Sequence, residues 1–446
     1  MIIEQFTDKA LSHYSYAILC DDKVVLIDPS RNPLPYYSFA EKHNAHIIAV
    51  IETHPHADFI SSHFQIHKET GAKIYVSEKL GAEYPHEAFD QDDTFQVNNV
   101  SFTAINTPGH SPDSICIHTV DSTTEEEALF TGDTLFVGNV GRPDLREDAG
   151  KMKMTREDLA KAMYETMQTK FNHLDDKVLI YPAHGAGSLC GKGMSKDSSS
   201  TLGNERMGNW AFKSQTEEEF VSEILSDQPF VPSYFGFDVD TNKEGPELVF
   251  SSIYSIPLQI NISSVEVGHL SVDTRDQEAF KKGHLQNSIN IMARSENDKF
   301  ETWLGTLVKP TEPFFLIIES IDDYKEILER VAKIGYENQV LAIATLSDKV
   351  QEKEPLLDVD KFRANLEDYT IIDIRNQSEV DNGLKFDNAL HYPLPDLRES
   401  AGQIPKDKPV VVHCAGGYRS ASGQSIIKNN LKDVEVYDLS FAISEF

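Results

Sequence analysis

The 446-residue chain has few cysteines, few basic residues and no long apolar run. Four cysteines are too few for a disulfide scaffold, which favours a reducing compartment. Acidic residues outnumber basic ones by 72 to 41, and the formal charge of −31 disfavours nucleic acid and anionic membranes as partners. No stretch approaches the ~20 apolar residues of a membrane span, and the opening MIIEQFTDKA does not resemble a secretory signal. We therefore predict a cytoplasmic location, with no nucleic-acid and no membrane partner.

The length and the order of the predicted elements indicate several domains. At the usual ~100–200 residues per domain, the chain is expected to form about three. The first part alternates β-rich runs with turns and includes TREDLAKAMYETMQTKF, a predicted helix with a threonine N-cap. Mixed strands and helices predict a layered α/β sandwich. Residues 226–260 are rich in proline, so we expect an irregular stretch and the first domain boundary there.

Two similar halves follow that boundary. VEVGHLSVDTRDQEAFKKGHLQNSINI is matched by YTIIDIRNQSEVDNGLKFDNALHYPL, and both contain a strand that ends in Asp-x-Arg before an acidic helix start. Each half continues with an apolar strand, FFLIIES or VVVHCAGG, and then a helix. This alternation predicts two parallel sheets with right-handed crossovers.

Potential metal ligands follow several predicted strands of the first part. They are His54, His56 and Asp58 in ETHPHADF, His110 in NTPGHSPDS, Asp133 in FTGDTLF and His184 in YPAHGAGS. Side chains at strand ends can converge at one edge of a sheet, where functional sites collect. A single loop histidine is readily explained by a hydrogen bond, but this set as a whole predicts metal binding.

The pattern Thr-His-x-His-x-Asp, followed by Gly-His, Gly-Asp and Ala-His-Gly, resembles the metallo-β-lactamase superfamily. Within it, GRPDL, AHGAGSLCGK and TLGNERMGNW resemble segments of the persulfide dioxygenases. The resemblance implies an αββα sandwich over residues 1–255 and one Fe(II) per chain, held by His54, His110 and Asp133. Two imidazoles and one carboxylate are the ligand set of non-haem iron oxygenases, which leaves positions for substrate sulfur, O2 and water.

The same resemblance implies that His56, Asp58 and His184 orient the ligands and nearby waters. One position departs from the wider superfamily, which usually has a histidine directly after the aspartate as a ligand of a second metal. Here that residue is Phe59. The substitution disfavours a dinuclear zinc hydrolase, although Asp58, Asp133 and His184 leave that alternative open.

The implied substrate is a low-molecular-weight thiol persulfide, which O2 oxidises to sulfite and free thiol. Arg142 and Lys192 are candidate partners for carboxylates or phosphates of the thiol. Cys190 lies in a glycine-rich loop beyond His184 and is a candidate catalytic thiol that carries a persulfide into the site. For each of these three residues, a purely structural role is the alternative.

The last half carries Cys414 at the end of an apolar strand, followed by Gly416, Gly417, Arg419 and Ser420. A loop that curls round the cysteine would direct backbone N–H groups at its sulfur, and these groups together with Arg419 would stabilise an anionic persulfide. The Cys-x-x-Gly-x-Arg loop resembles the rhodanese active site, whereas the similar loop of tyrosine phosphatases is typically one residue longer. We predict a rhodanese domain over residues 356–446.

The preceding half, residues 260–353, resembles the same fold. It reads IIESIDDYKE where the cysteine loop should stand, so we predict an inactive rhodanese-like domain there. The fold class expected for the whole chain is therefore α/β, a metallo-β-lactamase sandwich followed by two rhodanese-like domains.

The leading hypothesis couples the two centres in sulfide detoxification. Iron-dependent oxidation yields sulfite, and Cys414 transfers sulfane sulfur either to sulfite, which gives thiosulfate, or in the reverse direction. We also expect a homo-oligomer. The alternatives are a zinc thioester hydrolase of the glyoxalase II type with an appended rhodanese, and a non-catalytic sulfur carrier or sensor.

Overall fold

The computed structural model describes residues 1–146, 154–350 and 352–446, and the chain divides into two compact units. The first unit is Met1–Phe250 with Ala332–Gly335, and the second is Ser251–Val331 with Tyr336–Phe446. Among the described residues, no helix is both long enough and apolar enough to cross a membrane.

The first unit contains two six-stranded sheets. The first sheet is hydrogen-bonded in chain order: β1 (Ile2–Asp8), β2 (His13–Cys20), β3 (Lys23–Ile27), β4 (His46–Ile51), β5 (Lys73–Val76) and β6 (Glu87–Ala88). Strands β1 to β3 form an antiparallel meander, whereas β3 to β6 run parallel. Two of the parallel connections pass through the helices α1 (Leu34–Lys42) and α2 (His63–Thr70), as a parallel crossover requires.

The second sheet has the order β14-β13-β10-β9-β8-β7. Its strands are β7 (Thr94–Val97), β8 (Val100–Asn106), β9 (Ile115–Asp121), β10 (Glu126–Gly132), β13 (Leu179–Pro182) and β14 (Ser200–Thr201). The remaining elements of the unit are β11 (Leu135–Phe136), β12 (Asn139–Val140), α3 (Arg156–Thr169), α4 (Leu202–Gly208), α5 (Glu217–Leu225), α6 (Phe235–Glu244) and α7 (Val249–Ile253). Helix α3 begins as predicted, with the Thr155 side chain accepting the N–H of Asp158.

Apolar side chains form the layers of this unit. Ile18 of the first sheet and Phe102 of the second belong to one buried cluster between the sheets. Ile66 of α2 packs on the outer face of the first sheet, and Met163 of α3 and Phe220 of α5 pack on the outer face of the second. Each fully buried side chain of this size contributes about 1.5–3 kcal/mol. The layers are α, β, β, α, which confirms the predicted fold class.

The strand ends place the predicted ligands together. Strands β8, β10 and β13 run in one direction, so the loops that begin after them lie at the same edge of the second sheet. The loop after β4 joins this edge, because the Ile115 N–H donates to the carbonyl of Thr53 at 2.9 Å. His54, His110, Asp133 and His184 all lie in these loops.

The second unit contains two parallel sheets. The first has the order β15-β19-β18-β16-β17, with β15 (Leu258–Ile262), β16 (Leu270–Asp273), β17 (Ser288–Asn290), β18 (Phe314–Ile318) and β19 (Val340–Leu346). The second has the order β21-β20-β22-β23, with β20 (Thr370–Asp373), β21 (Leu390–His391), β22 (Val410–His413) and β23 (Val436–Asp438). The helices are α8 (Gln277–Lys282), α9 (Phe300–Leu307), α10 (Tyr324–Ala332), α11 (Val359–Ala364), α12 (Gln377–Asp381), α13 (Leu397–Ser400) and α14 (Tyr418–Asn430).

The two sheets share one topology, which confirms the predicted repeat. The order β17-β16-β18-β19 in the first repeat corresponds to β21-β20-β22-β23 in the second. The Asp-x-Arg segments also correspond. Arg275 lies 2.7 Å from Asp273, and Arg375 lies 2.6 Å from Asp373, so each pair closes the same turn after its strand.

The expectation of an irregular stretch over residues 226–260 is wrong for much of its length. The stretch contains α6, α7 and the start of β15. Phe235 and Val239 of α6 are almost completely buried, so this helix is stabilised by tertiary packing rather than by a regular local sequence pattern.

Candidate metal centre and candidate sulfur-transfer site

The loop after β4 is anchored by Thr53. Its N–H and its hydroxyl donate to the two carboxylate oxygens of Asp28, at 2.7 and 2.8 Å. The end of β10 passes close to the same side chain, because a Cβ on Gly132 would lie 2.4 Å from Thr53 Oγ1, and Gly132 has a φ of +49°. Only glycine tolerates that approach and that dihedral angle. The contact brings His54 and Asp133, the chain neighbours of these two residues, to one place.

Three of the predicted ligands face one point. The side-chain N or O atoms that His54, His110 and Asp133 offer lie within 4.8 Å of one another, and all three residues are buried. Nε2 of His54 and Nε2 of His110 lie 3.7 and 3.5 Å from Asp133 Oδ2. That oxygen is buried and accepts no hydrogen bond from the described residues. A buried carboxylate oxygen needs a partner, and two imidazole nitrogens beside it form a donor set that fits a metal cation.

The neighbours of both histidines fix which nitrogen faces that point. Thr53 Oγ1 gives its proton to Asp28 and therefore accepts the Nδ1–H of His54 at 3.0 Å. The carbonyl of Arg142 accepts the Nδ1–H of His110 at 2.9 Å. Both imidazoles thus keep the Nε2 lone pair free for a metal. Burial lowers the pKa of both rings, which favours the neutral, ligating form.

His184 lies between two carboxylates. Its Nδ1 is 2.7 Å from Asp133 Oδ1, and its Nε2 is 2.9 Å from Asp58 Oδ2. Burial alone would lower the pKa of His184, yet the two carboxylates raise it well above its usual value. Burial would likewise raise the pKa of Asp133, but His184 and the two facing histidines hold it well below. His184 therefore holds the carboxylate of Asp133 in a fixed direction, and the roles of both residues at a metal stay predictions.

His56 is directed toward a different pair of carboxylates. Its Nε2 lies 3.2 Å from Asp28 Oδ1 and 3.6 Å from Glu52 Oε2. Phe59, which occupies the position of the second-metal histidine, is buried and packs against His56 and His13 with ring centroids 4.3 and 4.0 Å away. Apolar ring atoms thus fill the space beside the predicted ligands.

Cys190 is brought to the same centre. Its sulfur, Asp58 and His184 offer atoms within 4.8 Å of one another, and the cysteine is only 1 % exposed. Burial, together with Asp58 and Asp133, raises the pKa of the thiol well above its usual value. These surroundings favour the neutral thiol of Cys190 beside the predicted ligands, and its catalytic role stays a prediction.

The side chain of Arg142 is used in contacts within the protein. It is 1 % exposed, donates to both oxygens of Asp144 at 2.7 and 2.6 Å, and donates to the carbonyl of Leu189 at 3.2 Å. The backbone carbonyl of Arg142 also accepts the Nδ1–H of His110. Both sets of contacts indicate a structural role for Arg142 beside the candidate metal centre. Its binding to substrate stays a prediction, and these contacts do not favour it.

Lys192 is likewise engaged by the protein. Its ammonium donates to the carbonyls of Glu223 and Ser226 at 2.9 and 2.8 Å, at the carboxyl end of α5. A cation there satisfies carbonyls that the helix leaves open. This is the structural alternative for Lys192, and its substrate contact also stays a prediction.

Cys414 lies directly after β22 and is 1 % exposed. The N–H of Gly417 donates to its sulfur at 3.1 Å, and α14 begins at the next residue. Gly417 has a φ of +91°, and a Cβ there would lie 2.6 Å from the backbone of Ser440 and Phe441. The Ser420 hydroxyl donates to the carbonyl of Gly417 at 3.1 Å. The loop thus curls round the sulfur, while a Cβ on Gly416 would meet open space.

Arg419 forms a two-pronged ion pair with Glu379. Both guanidinium nitrogens lie 2.6 Å from a carboxylate oxygen. Burial would lower the pKa of Arg419, but Glu379 raises it, so the cation is held in a fixed direction beside Cys414. Glu379, the acidic residue in the first turn of α12, was not predicted from the sequence as part of this site.

In the first repeat, an apolar residue takes the place of the cysteine. Asp273 pairs in register with Ile317 and Asp373 with His413, so Ile318 corresponds to Cys414. A one-turn helix over Ile321–Asp323 follows instead of the glycine loop.

Comparison with known proteins agrees with this architecture. The metallo-beta-lactamase superfamily matches residues 8–184, and the rhodanese-like domain family matches residues 261–345 and 358–443. The solved structure of a metallo-beta-lactamase from Staphylococcus aureus subsp. aureus COL is 31 % identical and aligns with a TM-score of 0.66, covering 77 % of this chain and 99 % of the other. The chain belongs to the metallo-beta-lactamase superfamily. Its metallo-beta-lactamase domain is followed by rhodanese-like domains.

The metallo-beta-lactamase domain also resembles curated enzymes. Hydroxyacylglutathione hydrolase from Polaromonas sp. is 29 % identical over 190 residues, and the mitochondrial hydroxyacylglutathione hydrolase from Saccharomyces cerevisiae is 31 % identical over 184 residues. These alignments cover 41 and 39 % of this chain, which spans 66 and 61 % of the lengths of the two relatives. The solved structure of ETHE1 from Myxococcus xanthus is 26 % identical and covers 55 % of this chain and 98 % of the other, with a TM-score of 0.47.

The metallo-beta-lactamase domain thus has a site that fits a metal, and three of its supporting residues were not predicted. Asp28, Glu52 and Thr53 hold the histidine loop. One signal for them was available in the sequence: Asp28 follows a β-rich run, as the predicted ligands do.

Proposed function

We propose that the chain is a persulfide dioxygenase with sulfurtransferase activity. One Fe(II), held by His54, His110 and Asp133, would serve the oxidation of a low-molecular-weight thiol persulfide, and Cys414 would transfer sulfane sulfur. The observation that carries this proposal is the buried set of two Nε2 atoms and one free carboxylate oxygen. That set is the one expected of non-haem Fe(II) oxygenases.

Phe59 is the feature that supports one metal rather than two, since the neighbouring clusters of Asp28, Glu52 and His56 and of Asp58, His184 and Cys190 are also donor sets that could hold an ion. His56, a potential further ligand, has its Nε2 next to Asp28 and Glu52. His184 has both nitrogens next to carboxylates, and Phe59 stands where a ligand of a second metal is usual. One Fe(II) held by His54, His110 and Asp133 would have only three protein ligands, which would leave room for the substrate sulfur and O2.

Atoms, charge and electrons balance in the proposed oxidation. A persulfide, O2 and water give a thiol, sulfite and two protons, as the terminal sulfur loses four electrons and O2 gains four. When bound, the iron would supply the redox chemistry that side chains lack. The chain's own groups bind and orient: the buried Asp133 is directed by His184, and the three predicted ligands lie in a region shielded from bulk water.

The proposed transfer step uses the second unit. The Cys414 thiolate attacks the sulfane sulfur of thiosulfate, a new sulfur–sulfur bond forms on Cys414, and the bond to sulfite breaks with the electron pair leaving on sulfite. The persulfide anion would accept the N–H of Gly417, which already points at the sulfur, and the positive charge of Arg419 favours the anion. The reverse direction gives thiosulfate.

The test uses the full chain, which is loaded with Fe(II) under argon and whose iron content is then measured. O2 consumption is followed afterwards in air-equilibrated buffer. Substrates are the persulfides of glutathione, coenzyme A and cysteine, and sulfite is measured as product. We expect about one iron per chain and persulfide-dependent O2 uptake. A chain that takes up only zinc, or that consumes no O2 with any of the three persulfides, would contradict the proposal.

A second candidate is a zinc thioester hydrolase, favoured by the similarity to hydroxyacylglutathione hydrolases. Phe59 argues against the two-metal centre of such a hydrolase. Zinc-loaded protein assayed on a glutathione thioester separates the two candidates, because only the hydrolase should release thiol there without O2.

A further inference from the structure

The cysteine-free first repeat of the second unit contacts the segments that frame Cys414. Gln277 donates to the hydroxyl of Ser440, and the Ser422 hydroxyl of α14 donates to the carbonyl of Asn290 at 2.6 Å. Gln277 and Asn290 belong to the first repeat, and Ser422 and Ser440 to the second. The helix that begins at the cysteine loop is therefore packed against the first repeat.

Lys281 forms an ion pair across this interface and a second one, at 3.2 Å, with Glu278 of its own helix. Its side chain is 9 % exposed, and its ammonium lies 3.1 Å from Asp438 Oδ2 at the end of β23. Asp438 is buried, and its other oxygen accepts the N–H of Ser440 at 2.8 Å. A buried carboxylate needs a compensating cation, and Lys281 of the first repeat supplies one to a carboxylate of the second.

Asp438 leads directly to the cysteine loop. The N–H it accepts belongs to Ser440, whose backbone lies against Gly417, at 2.6 Å from the position of a Cβ. Gly417 in turn donates its N–H to the sulfur of Cys414. A continuous series of contacts therefore connects the Lys281 ammonium to the reactive sulfur.

A second series of contacts arrives through Tyr418. This residue follows Gly417, and its hydroxyl donates to the carbonyl of Met292 in the first repeat at 2.7 Å. The guanidinium of the next residue, Arg419, lies 5.9 Å from the ring centroid of Trp303, also in the first repeat. The first two residues of α14, Tyr418 and Arg419, thus both contact the first repeat.

We propose that contacts from the first repeat hold the Cys414 loop in place and that Lys281 is a positioning residue for sulfur transfer. Lys281 acts through Asp438 and Ser440 on Gly417, the donor to the cysteine sulfur. The inference rests on the proposed sulfurtransferase function of Cys414. The first repeat, which lacks a cysteine in the corresponding loop, would therefore contribute to sulfur transfer at Cys414 of the second repeat.

The test is Lys281→Met in the full chain. Two matched controls are Lys282→Met, an exposed neighbour, and Arg398→Met, which removes an ion pair with Glu312 between the same two repeats. The readouts are kcat and KM for thiosulfate-to-thiol transfer, and the pH dependence of iodoacetamide alkylation of the Cys414 peptide, followed by mass spectrometry. Alkylation needs no turnover, so it reports the loop even where no transfer is measured.

We expect Lys281→Met to lower kcat about ten-fold, because small displacements of positioning groups cost rate strongly. The alkylation midpoint should move to higher pH, since the thiolate loses a held N–H donor. Lys281→Arg should restore most of both, and the two controls should behave like the unmodified chain. Tyr418→Phe removes only a hydroxyl and should move the alkylation midpoint in the same direction by less.

The proposal is wrong if Lys281→Met folds and alkylates like Lys282→Met, or if Arg398→Met reproduces its whole effect. If Lys281→Met does not fold, Tyr418→Phe tests the proposal instead. An unchanged alkylation midpoint in Tyr418→Phe would then contradict a role of the first repeat in holding the Cys414 loop. If the unmodified chain shows no Cys414-dependent transfer, the proposed sulfurtransferase function is wrong. A shifted alkylation midpoint in Lys281→Met would still support the role of the first repeat in holding the Cys414 loop.

Discussion

The candidate metal centre and the Cys414 loop hold their reactive atoms by different means. At the candidate metal centre, side chains direct two of the three predicted ligands: Thr53 directs His54, and His184 directs Asp133. The carbonyl of Arg142 directs the third, His110. At the Cys414 loop, backbone groups do this work, because the Gly417 N–H meets the sulfur and the chain behind it leaves no room for a Cβ.

The difference has a consequence for how each site is built. The predicted ligands come from strand ends far apart in the chain, so the centre exists only once the two sheets have packed. The cysteine loop is a short local segment with the required glycine in place. Its further support comes from Ser440 and Glu379 of the same repeat and from the neighbouring repeat. Substitutions should therefore separate the two activities.

The largest effect is expected from Asp133→Ala. It removes one of the three predicted ligands and leaves His184 beside a single carboxylate, so iron binding and sulfite formation should fall by more than about 100-fold. Iron content and persulfide-dependent O2 uptake measure this, with the exposed Asp22→Ala as control. Thiosulfate-to-thiol transfer should stay unchanged, and an equal loss of both activities in a folded variant would contradict the two-centre hypothesis.

Cys414→Ser is expected to give the opposite result. A serine hydroxyl is a far weaker nucleophile than a thiolate at neutral pH and cannot carry a persulfide, so sulfur transfer should disappear. Sulfite formation from a thiol persulfide should continue at the rate of the unmodified chain. A coupled assay for thiosulfate and sulfite measures both, and residual transfer in the variant would point to another cysteine, Cys190 first.

A smaller effect is expected from Glu379→Gln. The amide keeps the shape of the side chain but loses the charge that fixes Arg419, and charge-assisted hydrogen bonds contribute about 1.5–3 kcal/mol each. We expect a loss of about ten-fold or more in kcat/KM for sulfur transfer, with O2 uptake unaffected. Asp381→Asn on the same helix is the exposed control, and an unchanged kcat/KM would show that Arg419 needs no partner.

The smallest effect is expected from Lys192→Met, and it tests a substrate-binding prediction. The structural contacts at the end of α5 predict a loss of only about 0.5–1 kcal/mol of unfolding free energy. KM for the thiol persulfides should not change. Denaturant unfolding and steady-state kinetics measure the two quantities, and a raised KM without loss of stability would restore Lys192 as a substrate contact.

Much of the fold could be predicted from the sequence because periodicity and repetition are local signals. The sandwich, the repeat and the two parallel sheets follow from alternating apolar runs and from the duplicated Asp-x-Arg segment. Helices α6 and α7 could not be predicted, because burial of residues such as Phe235 stabilises them rather than a clear local pattern. The cytoplasmic location and the homo-oligomer stay predictions.

The sequence alone determined the chemical types available to this protein: imidazoles and carboxylates after strands, a cysteine before a glycine-rich turn, and the segment IIESIDDYKE, without a cysteine, in the first repeat. Only the tertiary structure decided how these groups are used. It places His56 and His184 beside carboxylates and engages Arg142 and Lys192 in contacts within the protein. The physical reason is that hydrogen bonds and ion pairs depend on distances of about 3 Å, and the packing of whole sheets and helices sets those distances.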